Sequence, residues 1–139
     1  MSTLERAIEI AARAHAGQVD KAGAPYVLHP IRVMLRVQTV EQRIAAILHD
    51  VVEDTDVTLG DLRRKGFSLR VIAAVEALTR RSNEAYDDFV TRASKNAIAK
   101  RVKLADLEDN LDMSRLPHPS PRDLHRLKRY RRAKKRLSK

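Results

Sequence analysis

Between Leu48 and Thr55 the chain reads Leu-His-Asp-Val-Val-Glu-Asp-Thr, which puts four ionisable side chains into an otherwise apolar stretch. On a helix His49 and Glu53 are four apart, as are Asp50 and Asp54, while Asp50 and Glu53 are three apart, so all four converge toward one side. Carboxylates at that density repel one another unless a cation or a proton lies among them. Two further residues can complete a cation site: His29, and Asp106 in Lys103-Leu104-Ala105-Asp106, where the acid interrupts an apolar helical face. The chain has no cysteine, so thiolate ligation and disulfides are excluded, and the donors that remain are imidazole and carboxylate. The set His29, His49, Asp50 and Asp106 suits Mn²⁺, Fe²⁺, Zn²⁺ or Ni²⁺ better than Mg²⁺ or Ca²⁺, with Mn²⁺ the first choice. Those ligands leave an octahedral ion room for a water and a phosphoryl oxygen, and the ion makes that water more acidic. Glu53 and Asp54, a turn beyond the ligands, then orient or deprotonate the water and return a proton to the leaving group.

Helices must position these residues. Ser2-Thr3-Leu4-Glu5 has the spacing of a capping box, and Leu4, Ile8, Ala11, Ala12 and His15 recur every three or four residues, predicting a first helix to about Gly17. Gly17, Gly23 and Pro25 mark residues 18–28 as a loop, and Pro30 at a first helical position puts His29 at the entrance of a helix running to Val37. Thr39 to Gln42 is a second capping box. It starts a third helix, buried along much of its circumference, that carries Ile44, Ala45, Ile47, Leu48, Val51 and Val52 without interruption. Thr58 and Asp61 open a short helix that stops at Gly66, and Leu69 to Leu78 is helical by its apolar spacing. Ser82 caps a segment to about Ser94, Ala97 to Met113 forms another helix, and Pro117, Pro119 and Pro121 end it. Ser120-Pro121 then caps a last helix over 122–137. No strand pattern, repeat or low-complexity linker appears. The expected class is all-α, a bundle of about seven or eight helices forming one domain over residues 1–139, with its core over about 2–116 and the C-terminal helix docking on it.

The 139 residues, 43% of them hydrophobic, suffice for one packed core. The apolar runs are too short to span a membrane, and the N-terminus has no basic-then-apolar signal, so a soluble, cytoplasmic protein is expected. A net charge of +10 suggests a nucleic-acid binder, but nine Lys and Arg with no acid fall between Arg126 and Lys139, leaving +1 for the rest. Leu124, Leu127, Tyr130 and Leu137 lie roughly on one side of that last helix, which favours docking with the charges outward in solvent over a nucleic-acid-binding module. His15 is expected to pack beneath the loop or bond its backbone. His118 and His125 are expected to be exposed.

Four ordered blocks resemble the hydrolase domain of RelA/SpoT alarmone enzymes, and in length the stand-alone small alarmone hydrolases of that family. They are Ala14-His15-Ala16-Gly17-Gln18; Lys21 to Pro30 (Lys-Ala-Gly-Ala-Pro-Tyr-Val-Leu-His-Pro); Ala46 to Thr55; and Val102-Lys103-Leu104-Ala105-Asp106. The resemblance runs from about Leu4 to Leu116. It implies an HD-type helical fold, a Mn²⁺ at His29, His49, Asp50 and Asp106, and hydrolysis of the 3′-pyrophosphate of ppGpp or pppGpp to GDP or GTP plus pyrophosphate. It implies further that Glu53 and Asp54 serve the attacking water, and that Lys21, Tyr26 and Asn110 contact the nucleotide. The chain departs from the family pattern at Asp20, at Leu107-Glu108-Asp109 and at Asp112. These changes remove positive charge around the expected nucleotide pocket, so ppApp or a 2′- or 3′-phosphorylated nucleotide is the alternative substrate.

Overall fold

The computed structural model describes residues 1–112 and 118–139. Among these the chain forms nine helical segments: α1 (Leu4–Ala14), α2 (Leu28–Leu35), α3 (Val40–Leu48), α4 (Val51–Asp54), α5 (Leu59–Arg64), α6 (Leu69–Ala77), α7 (Tyr86–Ser94), α8 (Ala97–Asn110) and α9 (Pro121–Leu137). The only extended pairing among the described residues is an isolated bridge between Val19 and Pro25, so the class is all-α, as its 3.6-residue periodicities require. Met113 and Pro117, placed at the end of the eighth helix and in the turn after it, lie outside the described residues.

Side-chain caps set many of the boundaries. Thr39 with Gln42, Thr58 with Asp61 and Ser120 with Asp123 form capping boxes at the expected helix starts, each satisfying backbone N–H groups that a helix start leaves without partners. At α1 the cap is Thr3, whose hydroxyl accepts from the Arg6 N–H, and not Ser2. Ser2 is drawn elsewhere: its N–H donates to the Gly66 carbonyl at 2.9 Å and its hydroxyl donates to the Lys65 carbonyl. Helix α7 starts at Tyr86, not Ser82, because Asn83 takes a left-handed conformation (φ 63°) that stops a helix from starting earlier. The predicted third helix is broken. Helix α3 stops at Leu48, His49 and Asp50 form a turn, and α4 resumes for a single turn.

Helix α3 is the central element, with Ile44, Ala45, Ala46, Ile47 and Leu48 all buried. On one side the small or branched residues Ala45, Ala46, Val33, Val37, Val102 and Ala105 pack α3 against α2 and α8. On the other, Ile47, Leu48 and Val51 meet Ala7, Leu62, Val71 and Val75 from α1, α5 and α6. Each fully buried branched side chain contributes about 1.5–3 kcal/mol, enough for these contacts to fix three helices around one point. A third cluster of Val90, Leu107, Ala133 and Leu137 ties α9 onto α7 and α8. Leu124, expected inward, is 52% exposed, and Ala133 fills the contact instead. No helix among the described residues is long and apolar enough to cross a membrane.

Candidate metal centre

His29, His49 and Asp106 come from α2, the α3–α4 break and α8, and one donor atom from each lies within 4.8 Å of the others. All three residues are buried. His29 Nε2 is 2.9 Å from Asp106 Oδ1, and His49 Nε2 is 3.3 Å from the same oxygen. Asp50 Oδ2 stands beside them, 3.1 Å from His49 Nε2 and 3.8 Å from His29 Nε2. His49 and Asp50 sit together at the α3–α4 junction, and His49 Nε2 lies within 3.3 Å of both the Asp50 and the Asp106 carboxylates.

The other nitrogen of each imidazole is anchored. His49 Nδ1 donates to the Ala46 carbonyl, which leaves Nε2 as the nitrogen aimed at the acids; that Nε2 is buried and has no hydrogen-bond partner. His29 Nδ1 donates to Asp109 Oδ2 at 2.7 Å. Asp109, with no exposed surface, is gripped in turn by Arg32, whose Nε donates to Oδ1 at 2.8 Å and whose terminal nitrogen donates to Oδ2 at 3.1 Å. A carboxylate behind a ligating imidazole fixes its tautomer and raises its basicity. Two imidazole nitrogens beside two carboxylates, one nitrogen without any hydrogen-bond partner, are a donor set that fits a divalent cation of the borderline class, whose binding displaces the imidazole protons.

The electrostatics favour positive charge at this point. Burial works against a charged His29, but its hydrogen bonds to Asp106 and Asp109 outweigh it and hold the imidazole up at about 9. Burial likewise opposes a charged His49, and Asp50 and Asp106 push it well above the ordinary value. Asp50 is driven up by burial and further down by His49, ending at about 2, and Asp106 is held well below the usual carboxylate range, chiefly by Lys103. Lys103 is itself buried, donates to Asp106 Oδ2 at 2.9 Å, and has its ammonium 4.9 Å from the Phe89 ring centroid.

A cavity of about 480 Å³ opens onto the centre, and every expected site residue except His49 lines it. The Glu53 carboxylate accepts from the Arg80 backbone N–H at 2.8 Å. Asp54 is pushed up to about 6 by burial first, then by the charges of Asp50 and Glu53. The Tyr26 hydroxyl donates to Asp50 Oδ2, and the Asn110 amide donates to Asp106 Oδ1 at 3.2 Å. Lys21 pairs with Asp123 at 2.6 Å, tying the loop to the start of α9. His15 is buried, bonds the Gln18 side chain rather than loop backbone, and lies 5.0 Å from the Tyr26 ring.

Two readings from sequence change, those of Asp109 and of the C-terminal helix, while that of Asp20 as an acid at the pocket stands. Asp109 does not line the cavity; it is buried behind His29 with its charge met by Arg32, so it does not lower the charge of a nucleotide pocket. Its signal was present, since an acid three residues after Asp106 shares its helix face, but its partner is 80 residues away in sequence. Asp20 lines the cavity and also accepts from the N–H groups of Ala22 and Ala24, closing the turn at Gly23. The basic C-terminal helix is not wholly a solvated face: Arg126 and Arg129 turn inward and line the cavity.

Comparisons with known proteins agree with this geometry. The family model described as HD domain matches residues 7–110. A guanosine-3′,5′-bis(diphosphate) 3′-pyrophosphohydrolase of Aquifex aeolicus is 35% identical over 118 residues, covering 78% of this chain and 17% of that protein. A GTP pyrophosphokinase of Streptomyces coelicolor is 36% identical over 118 residues, covering 78% of this chain and 14% of the relative. A solved structure of a metazoan SpoT orthologue, described as hydrolysing ppGpp and playing a role in starvation responses, superposes with a TM-score of 0.79 at 25% identity, covering 99% of this chain and 85% of the other. The chain spans less than a fifth of the length of these two curated relatives. The likenesses bear out the resemblance carried by the four sequence blocks.

Proposed function

The chain belongs to the HD-domain family, and from that premise we propose that it is a divalent-metal-dependent phosphohydrolase that removes the 3′-pyrophosphate of a guanosine alarmone. The observation that carries this reading is the pair of anchored imidazoles whose Nε2 atoms face one Asp106 oxygen, at the bottom of a cavity lined by both acids and cations. The names of the relatives supply the substrate. His29, His49, Asp50 and Asp106 would hold the ion, which we assign as Mn²⁺; when bound it supplies charge neutralisation and a more acidic water.

The chain's own residues do the rest. Water attacks the phosphorus bonded to the ribose 3′ oxygen, the P–O3′ bond breaks, and the proton taken from water goes to O3′, giving GDP or GTP and pyrophosphate. Glu53, held by the Arg80 N–H, orients the water, and Asp54, beside Asp50 in the cavity lining, holds and returns the proton. Lys21 and Asn110 contact the nucleotide from the cavity wall, and Tyr26 keeps Asp50 aimed.

The test is pyrophosphate release from ppGpp by protein reloaded with Mn²⁺, with ppApp and a 2′-phosphorylated nucleotide alongside. Turnover of ppGpp above the other two supports the reading. Turnover of another nucleotide instead supports a second reading, motivated by Asp20 and Asp112 in the cavity lining. No release from any of the three overturns the hydrolase assignment. Glu53→Gln is expected to keep the metal bound while lowering kcat about 10²-fold or more.

A further inference from the structure

Three cations gather around one aromatic ring. The guanidinium carbon of Arg129 lies 4.3 Å from the Tyr86 ring centroid, that of Arg80 5.6 Å, and the Lys103 ammonium 5.6 Å. All four side chains line the cavity that holds the candidate metal centre. Each of the three is a cation within about 6 Å of the same ring, the range of a cation–π contact. Lys103 has its countercharge in Asp106. Among the described residues the other two pair with no carboxylate: Arg80 Nε donates to the backbone carbonyl of Glu84, whose carboxylate is taken by Arg92, and Arg129 Nε is buried without a hydrogen-bond partner. The Tyr86 hydroxyl is also buried and without a partner. Among the described residues, two buried donors without partners and two guanidinium groups without a carboxylate partner thus border one side of the cavity, and Lys103 joins that side to the candidate metal centre through Asp106.

We propose that Arg80, Tyr86 and Arg129 form a second anion subsite, which takes the phosphate groups of the nucleotide that are not cleaved. This rests on the reading of the centre as a nucleotide phosphohydrolase, and it adds a selection rule: the substrate carries two separate anionic phosphoryl groups, one at the metal and one at the Tyr86 wall. Guanidinium groups suit this task because their planar donors match phosphate oxygens two at a time, and the ring below them limits the orientations they must give up on binding. Arg129 lies beyond residue 110, where the HD-domain match ends, so the subsite joins α9 to the matched region.

The experiment measures GDP and guanosine binding to the metal-loaded protein by titration calorimetry. GDP is expected to bind at least about tenfold more tightly than guanosine, the size of one good charged contact. That preference falls to within about twofold in Arg129→Met and shrinks in Arg80→Met, while Arg131→Met, an exposed position on the same helix, keeps it. In turnover, Arg129→Met raises KM for ppGpp with kcat little changed and leaves the KM of guanosine 3′-diphosphate, which lacks the 5′ phosphates, as in the parent. Circular dichroism of each variant confirms the fold, and Arg129→Lys, which keeps the charge, recovers part of the preference. An unchanged GDP preference in Arg129→Met, or none in the parent, overturns the subsite. Silence on ppGpp with the GDP result intact instead removes the hydrolase reading and leaves the subsite standing.

Discussion

The two halves of the candidate metal centre hold their imidazoles by different means. On the α2–α8 side, His29 is fixed by a side chain: Asp109 accepts its Nδ1 proton, and Arg32 fixes Asp109. On the α3–α4 side, His49 is fixed by the backbone, through the Ala46 carbonyl, and by a helix break that no single side chain makes. A carboxylate relay gives a more basic ligand and can be lost by one substitution. A backbone anchor gives a weaker push but survives any replacement that preserves the helix. One half is tuned by sequence and the other by architecture.

Four substitutions break or sharpen that contrast. Asp106→Ala strikes both halves, since its Oδ1 faces both Nε2 atoms, and it also strands the buried Lys103 ammonium. Bound metal is expected to fall from one equivalent to near zero by elemental analysis, and turnover by about 10³-fold or more. Asp109→Asn strikes the His29 half alone and is expected to weaken metal affinity about 10–100-fold in competition with a chelator. Ala46→Ser leaves the carbonyl in place, and metal affinity should stay within about threefold; a loss like that of Asp109→Asn would show that the halves do not differ in kind.

The fourth is a control outside the centre. Glu84 is another carboxylate gripped by an arginine, and Arg92 holds it down at about 2 from an ordinary 4.5. A depressed pKa contributes stability above the unfolded value and loses it as pH falls through the folded one. Glu84→Gln should therefore be less stable than the parent above about pH 4.5, with the difference closing toward pH 2 in thermal melts, and metal affinity unchanged at pH 7.

The four proposed ligands were legible as a cluster because their residue types are costly in apolar helices and the costs appear in the sequence itself. Most helices were legible for the same reason, from apolar spacing and from the caps at Thr39, Thr58 and Ser120. The break at His49 was not, because Ile47, Leu48, Val51 and Val52 keep a helical period straight through it. Asp109 was misjudged because its role depends on His29 and Arg32, which only the packing of α2 on α8 brings near. The inward turn of Arg126 and Arg129 was hidden in a run of like charges, where helical spacing alone does not say which cation faces a cavity.

The span of the centre along the chain sets when it can exist. His29 meets Asp106 across 77 residues and Asp109 across 80, so these contacts close late, after the loop entropy of most of the chain has been overcome. A cation that binds only the assembled set adds its free energy to the last step of folding and none to the earlier ones. During synthesis α1 to α7 can assemble around α3 while the chain remains unable to retain the ion. Metal retention would therefore report that α8 has arrived and docked, and a bound ion would slow unfolding more than it speeds folding.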